Sequence, residues 1–197
     1  MTALPAPLTG DGTPAGVSVL VVCTANICRS PVGERLLASR LGGTGVTVGS
    51  AGTLALVGRP VDPPMAGLLA DAGVPAEPFT ARQVRPDLLR DASLVLTMTR
   101  EHRAAVVAAA PAVVRRTFLL TEAAGIAEAL ADAGWPAEVV AGPAARLAAL
   151  ASLAGPHRVP GGCGVDVPDP YRRPAEDYVS CFALIEDAVD RLVRAVS

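Results

Sequence analysis

The chain has 197 residues, of which 51% are hydrophobic and 18% charged, with a formal net charge of −2 and four cysteines. That is long enough to bury a real core in one domain, and the charge balance gives no whole-chain reason to expect nucleic acid or an acidic membrane surface. No apolar run reaches the roughly 20 residues of a membrane helix, and four scattered cysteines are too few for a disulfide scaffold. All 17 basic residues are arginines, a bias to which no function is attached. Residues 1–16, MTALPAPLTGDGTPAG, read as a flexible lead-in with neither the positive start nor the apolar segment of an export signal. The expected setting is a reducing, cytoplasmic one.

Taken in order, Val17 to Val22 is a continuous apolar run, as expected of a strand buried on both faces of a parallel sheet. Ser30 is expected to cap the following helix, Pro31 to occupy its first turn, and the helix to run to about Leu41, where Gly42 and Gly43 stop it. A second strand is expected near Val46 to Gly49. Asp62 and Pro63 then open a helix that ends at Gly73, and a short helix follows from Asp87 to Asp91. Leu94 to Met98 reads as the third strand, Thr99 as the cap of a helix to about Ala110, and Arg116 to Leu120 as the fourth strand. Alternating strands and helices indicate a doubly wound α/β fold with a parallel sheet. From Thr121 to Gly162 the sequence turns alanine-rich and is broken by Gly and Pro, with two helices expected at Glu122 to Ala133 and Ala144 to Ala154. The last helix, Ala175 to Val196, places Tyr178, Phe182, Ile185, Val189 and Leu192 at helical spacing, suited to covering the sheet.

One stretch carries chemistry. Cys23 ends the first strand, five residues follow, and Arg29 precedes the helix, in CTANICRSP. The C-x5-R spacing is weak by itself; its place after the first strand of a doubly wound sheet, where such folds bind ligands, gives it weight. A loop of this length can turn successive backbone N–H groups toward an anion, and the helix adds its positive end. The same field stabilises a thiolate at Cys23 for attack on phosphorus, and the planar fork of Arg29 suits two phosphate oxygens. Ester cleavage also needs a proton donor. Asp169, in VPDPYRRP, is the expected one, and spacing leaves Asp166 open as the alternative. His102 and His157 are isolated and pair with no cysteine at zinc-site spacing, so no metal or cofactor is expected.

CTANICRSP resembles the signature of the low-molecular-weight protein tyrosine phosphatase family. SAGT at Ser50 to Thr53, GRPVDPP from Gly58, ARQV at Ala81 to Val84, LVLTM at Leu94 to Met98 and DPY at Asp169 to Tyr171 follow in family order. The likeness runs from about Val17 to the C-terminus, excluding about 121–162. It implies a four-stranded sheet of order 2-1-3-4 with helices on both faces; the alanine-rich composition over 121–162 is read as a helical insert in this single domain of residues 17–197. It implies Cys23 as nucleophile, Arg29 as phosphate clamp and Asp169 as general acid. Thr24, Ala25, Asn26, Ile27, Cys28 and Ser30 then form the phosphate loop, Ser50 supports it, and Tyr171 lines the substrate slot. In the family, the counterpart of Cys28 can form a reversible disulfide with the nucleophile.

This sequence departs from the family at several positions. Ala25 stands where glycine is usual, Leu56 about where many members have an aromatic, Phe79 where many have a histidine, and Thr99 where many have an acidic residue. The expected substrate is a phosphorylated protein or a small phosphomonoester, with phosphotyrosine favoured. A protein-arginine phosphatase is an alternative, although that branch has threonine where Ile27 stands. An arsenate reductase would need mid-chain resolving cysteines, and there is none between Cys28 and Cys163. A phosphate-binding module without turnover is the remaining alternative.

Overall fold

The computed structural model describes residues 16–139, 142–157 and 164–197. Cys163 lies outside them, as does all but the last residue of the expected 1–16 lead-in. Four parallel strands, β1 (Val17–Cys23), β2 (Val46–Gly52), β3 (Leu94–Thr97) and β4 (Thr117–Leu119), form one sheet in the order β2-β1-β3-β4. This is the expected α/β fold and strand order. β2 runs three residues past its expected end because Gly52 pairs with Cys23 and carries an added bridge from Gln83.

Alternation along β1 sorts its side chains between two cores. Val19, Val21 and Cys23 face the larger one, with Leu94, Leu96 and Phe118. That face is covered by α1 (Arg29–Arg40), α2 (Pro63–Asp71), α5 (Leu120–Asp132), α6 (Pro143–Leu153) and α7 (Ala175–Val196). Leu20 and Val22 face the smaller core, closed by Leu89 of α3 (Pro86–Asp91), Val106 of α4 (Arg100–Ala109) and Val113. Strands buried on both sides explain the unbroken apolar runs in the sequence. Among the described residues, no helix is long and apolar enough to cross a membrane.

The helix boundaries follow local chemistry. Thr99 caps α4 by accepting the backbone N–H of His102, Pro63 sits in the first turn of α2, and Gly73 takes a φ of +72° just beyond its end. Ser30 is a correction: α1 begins at Arg29, and Ser30 lies inside its first turn with its hydroxyl directed back to Cys23. Helices α5 and α6 occupy the alanine-rich stretch. Ala123, Ala124 and Ala127 of α5 are buried in the larger core beside Ile185, Ala188 and Val189 of α7, where small side chains permit close helix packing.

The end of β2 supports the loop after β1 from below. A Cβ on Gly52 would overlap the carbonyl oxygen of Thr24 and press on the backbones of Ala25 and Ala55 at 3.1 Å. Gly52→Ala therefore has to displace backbone, and should destabilise the protein by about 1–3 kcal/mol and reduce phosphate binding. At Gly49 the nearest obstacle is the end of the Arg82 side chain, which can swing away. Gly49→Ala should leave phosphate affinity near the wild-type value. Denaturant melts and calorimetric phosphate titrations of the two variants check the contrast.

Candidate active site

The segment from Cys23 to Arg29 is held from outside by its carbonyls. Thr53 N–H donates to Cys23 O, Leu54 N–H to Thr24 O and Leu56 N–H to Ala25 O, each at 2.9 Å, and Asp62 N–H donates to Ile27 O at 2.8 Å. In a trans peptide the N–H points opposite the carbonyl, so pulling these carbonyls outward turns the following amides toward the centre of the loop. The start of α1 faces the same centre. The result is a cup of backbone donors suited to a tetrahedral oxyanion.

A fully buried Asn26 sets the shape of the cup. Its Nδ2 donates to Ser30 Oγ at 2.9 Å and to Ser50 Oγ at 2.8 Å, while Oδ1 accepts the Arg82 N–H at 2.9 Å. Ser50 passes its own proton to Glu34 Oε2 at 2.6 Å. Because Ser30 Oγ accepts from Asn26, its hydroxyl proton is free for Cys23 Sγ, 2.9 Å away. Asn26 takes a φ of +56°, a conformation its short polar side chain tolerates. Ala25, which replaces the usual glycine, is not in the left-handed region, and its departure from the family pattern carries no such backbone strain.

Arg29 reaches the same cup and is 4% exposed. Its guanidinium donates to Val167 O at 3.2 Å, to Thr24 Oγ1 at 3.4 Å and to Asp169 Oδ2 at 2.5 Å. Its Nε is buried with no acceptor among the described residues, and a phosphate oxygen held in the cup would supply one. Asp169 is half-exposed and also accepts the Tyr171 N–H on Oδ1. Asp166 points elsewhere, to the backbone N–H and guanidinium of Arg100. The geometry therefore separates the two aspartates that sequence spacing left open.

The remaining expected site residues are distributed around this centre. Cys23, Cys28 and Cys181 are free, buried thiols. Burial and the neighbouring Asp62 push the Cys28 thiol well up, and burial pushes Cys181 up to about 12. Ile27 is buried beneath the loop. Tyr171 is half-buried in the Asp169 loop, with the Arg172 guanidinium 5.2 Å from its ring centre. Leu54, Leu56 and Val57 leave an exposed aliphatic rim on the segment that tethers the cup.

Several supporting residues escaped the sequence reading. Glu34 ends the Asn26–Ser50 chain. Phe79, which the sequence does single out as standing where a histidine is common, is not one of them and packs under the Arg35 guanidinium at 5.6 Å. Tyr178 donates its hydroxyl proton to Asp62 at 2.8 Å and accepts the Arg172 N–H, tying the Asp169 loop to the cup. The supposedly isolated His102 is buried against Thr24 and Thr99. A capping serine or threonine three residues before a histidine was the only local signal for it. Among the described residues, no cluster of three or more His, Cys, Asp or Glu side chains suits a metal ion.

Comparison with known proteins fits this geometry. Residues 18–132 match the family described as "Low molecular weight phosphotyrosine protein phosphatase". The low molecular weight protein-tyrosine-phosphatase Etp of Escherichia coli K12 is 48% identical over 102 residues, covering 52% of this chain and 68% of Etp. The corresponding Wzb phosphatase of Salmonella typhi is 28% identical over 179 residues, covering 91% and 93%. The structure of Vibrio vulnificus Wzb in complex with benzylphosphonate superposes with a TM-score of 0.67 at 27% identity, covering 91% of this chain and 98% of that one. With its cup, its ordered motifs and its sheet in agreement, the chain belongs to the low molecular weight phosphotyrosine protein phosphatase family.

Proposed function

We propose that the protein is a metal-independent protein-tyrosine phosphatase acting through a phosphocysteine. The observation that carries this reading is the convergence of Cys23 Sγ, the Ser30 hydroxyl and the buried Arg29, whose Nε has no acceptor among the described residues, on one cup of inward amides. The Cys23 thiolate attacks phosphorus as the bond to the ester oxygen breaks, and Asp169 gives that oxygen its proton. The Asp169 carboxylate then takes a proton from water as the water attacks phosphorus, which breaks the P–S bond, regenerates the thiolate and releases inorganic phosphate. Arg29 and the loop amides stabilise the charge on the equatorial oxygens in both steps.

The Arg29–Asp169 pair is compatible with this sequence of events. A phosphate in the cup replaces the acceptor that the buried guanidinium would lose, and the half-exposed carboxylate returns to water, so the exchange leaves neither charge uncompensated. Released, Asp169 is available to the leaving oxygen at the mouth of the cup. The aliphatic rim of Leu54, Leu56 and Val57 offers apolar contact to a phosphorylated aromatic side chain and its neighbours. A phosphorylated protein as substrate, and a reducing cytoplasmic compartment that keeps the thiols free, complete the reading.

Purified protein should hydrolyse p-nitrophenyl phosphate in the presence of EDTA, and Cys23→Ser should abolish turnover. A panel of phosphotyrosine, phosphoserine and phosphoarginine peptides should rank phosphotyrosine first. Turnover that disappears with EDTA, or that survives in Cys23→Ser, contradicts the mechanism.

Asp169→Asn should lower kcat by about 10²-fold or more for esters with poor leaving groups and by less for activated aryl esters, since only the former depend on protonation. Asp166→Asn should change kcat little. If leaving-group dependence instead follows Asp166, the acid has been misassigned.

A further inference from the structure

We propose that His102 is a positioning residue for the phosphate-gripping arginine: its imidazole accepts the hydroxyl proton of Thr24, and the Thr24 oxygen in turn fixes the Arg29 guanidinium. The inference rests on reading the cup as a phosphate site. Thr24 Oγ1 lies 2.8 Å from His102 Nε2 and 3.4 Å from an Arg29 terminal nitrogen, and His102 Nδ1 lies 2.9 Å from Thr99 Oγ1. These contacts join the start of α4 to the interior of the phosphate loop across 78 residues of sequence.

Donor accounting gives the chain its direction. A guanidinium has only N–H donors, so the Arg29 contact occupies a lone pair on Thr24 and leaves the Thr24 proton to be given away. Nε2 receives it. The ring proton then sits on Nδ1 and goes to Thr99 Oγ1, which also accepts the backbone N–H of His102 at 3.2 Å. In the opposite tautomer, Nε2–H and Arg29 would both donate to Thr24 and leave its proton without this partner. His102 is 5% exposed, and burial pushes its pKa down to about 4, with the Arg29 cation acting in the same direction and Asp169 and Asp166 opposing it. A neutral imidazole is what an acceptor at Nε2 requires.

The arrangement matters because of what else holds Arg29. Its other two hydrogen bonds among the described residues, to Val167 O and Asp169 Oδ2, both go to the loop that precedes α7. When Asp169 turns to the leaving oxygen, one of these is lost. Thr24 remains as the side-chain contact within the phosphate loop itself, and Thr24 is oriented by a ring anchored on a capped helix. His102 thereby keeps the fork of Arg29 in the plane that two phosphate oxygens need.

The test uses His102→Leu, His102→Gln, Thr24→Val and the His102→Leu/Thr24→Val double variant, with inorganic phosphate binding by calorimetry and kcat and KM for p-nitrophenyl phosphate. His102→Leu and Thr24→Val should each weaken phosphate binding about tenfold and lower kcat/KM by a similar factor, as expected for one lost charge-linked hydrogen bond. The double variant should be no worse than either single one, because both break the same chain. His102→Gln, whose side-chain oxygen can replace the Nε2 acceptor, should stay within about threefold of wild type. A folded His102→Leu with wild-type phosphate affinity, kcat and KM overturns the proposal even if its melting temperature falls. So does a His102→Gln as impaired as His102→Leu. If His102→Leu does not fold, Thr24→Val and His102→Gln decide the matter. A wild type that binds phosphate without turnover contradicts the phosphatase reading alone, and the calorimetry still decides this one.

Discussion

The structure depends on keeping a loop of convergent N–H dipoles from flattening. Without an anion, inward amides repel one another, so the loop cannot be self-supporting. What resists is the outward pull of the 53–62 segment on four loop carbonyls and the Asn26 side chain in the middle. Each such hydrogen bond is worth about 0.5–1.5 kcal/mol net, while leaving a buried polar group of the network unmet costs about 1–3 kcal/mol. Flattening the loop breaks several at once. The cup is thus formed in advance, and an arriving phosphate meets donors that need not reorganise.

Much of this was legible in the sequence because the signals are local. The apolar runs of β1 and β3, the Asp62–Pro63 start and Gly73 stop of α2, and the Thr99 cap of α4 each rest on neighbouring residues. Cys23 and Arg29 were legible because their spacing falls after the first strand. Ser30 was read as a cap from the same kind of local rule, and the rule lost: buried Cys23 and Asn26 offered its hydroxyl better-placed partners than the helix start.

The support of the cup was not legible because its partners are distant in sequence. Glu34 meets Ser50 across 16 residues, His102 meets Thr24 across 78, and Tyr178 meets Asp62 across 116. Helical periodicity assigned Tyr178 to the apolar face of α7 and could not show that its hydroxyl ties two loops together. His102 looked isolated because sequence spacing tests it only against potential metal ligands. Glycine is usual at position 25, yet the left-handed conformation falls one residue later, on Asn26, a residue type that accepts it.

The proposed proton donor is held by a different logic from the proposed nucleophile. Cys23 is 2% exposed and its thiol is held by a buried hydrogen bond with Ser30, so its position is fixed before substrate arrives. The loop carrying Asp169 is anchored by its backbone, through Val167 N–H on Met98 O at 2.8 Å and Arg172 N–H on the Tyr178 hydroxyl. The carboxylate itself is half-exposed, with an ion pair to the buried Arg29 and one backbone contact at 3.2 Å. Strong anchoring of the main chain keeps Asp169 within reach of the cup, and weak anchoring of the side chain would let it change partners as the proposed mechanism requires. A donor buried as firmly as Cys23 could not move between Arg29 and a leaving oxygen, and one as free as an ordinary surface aspartate would rarely be there when the bond breaks.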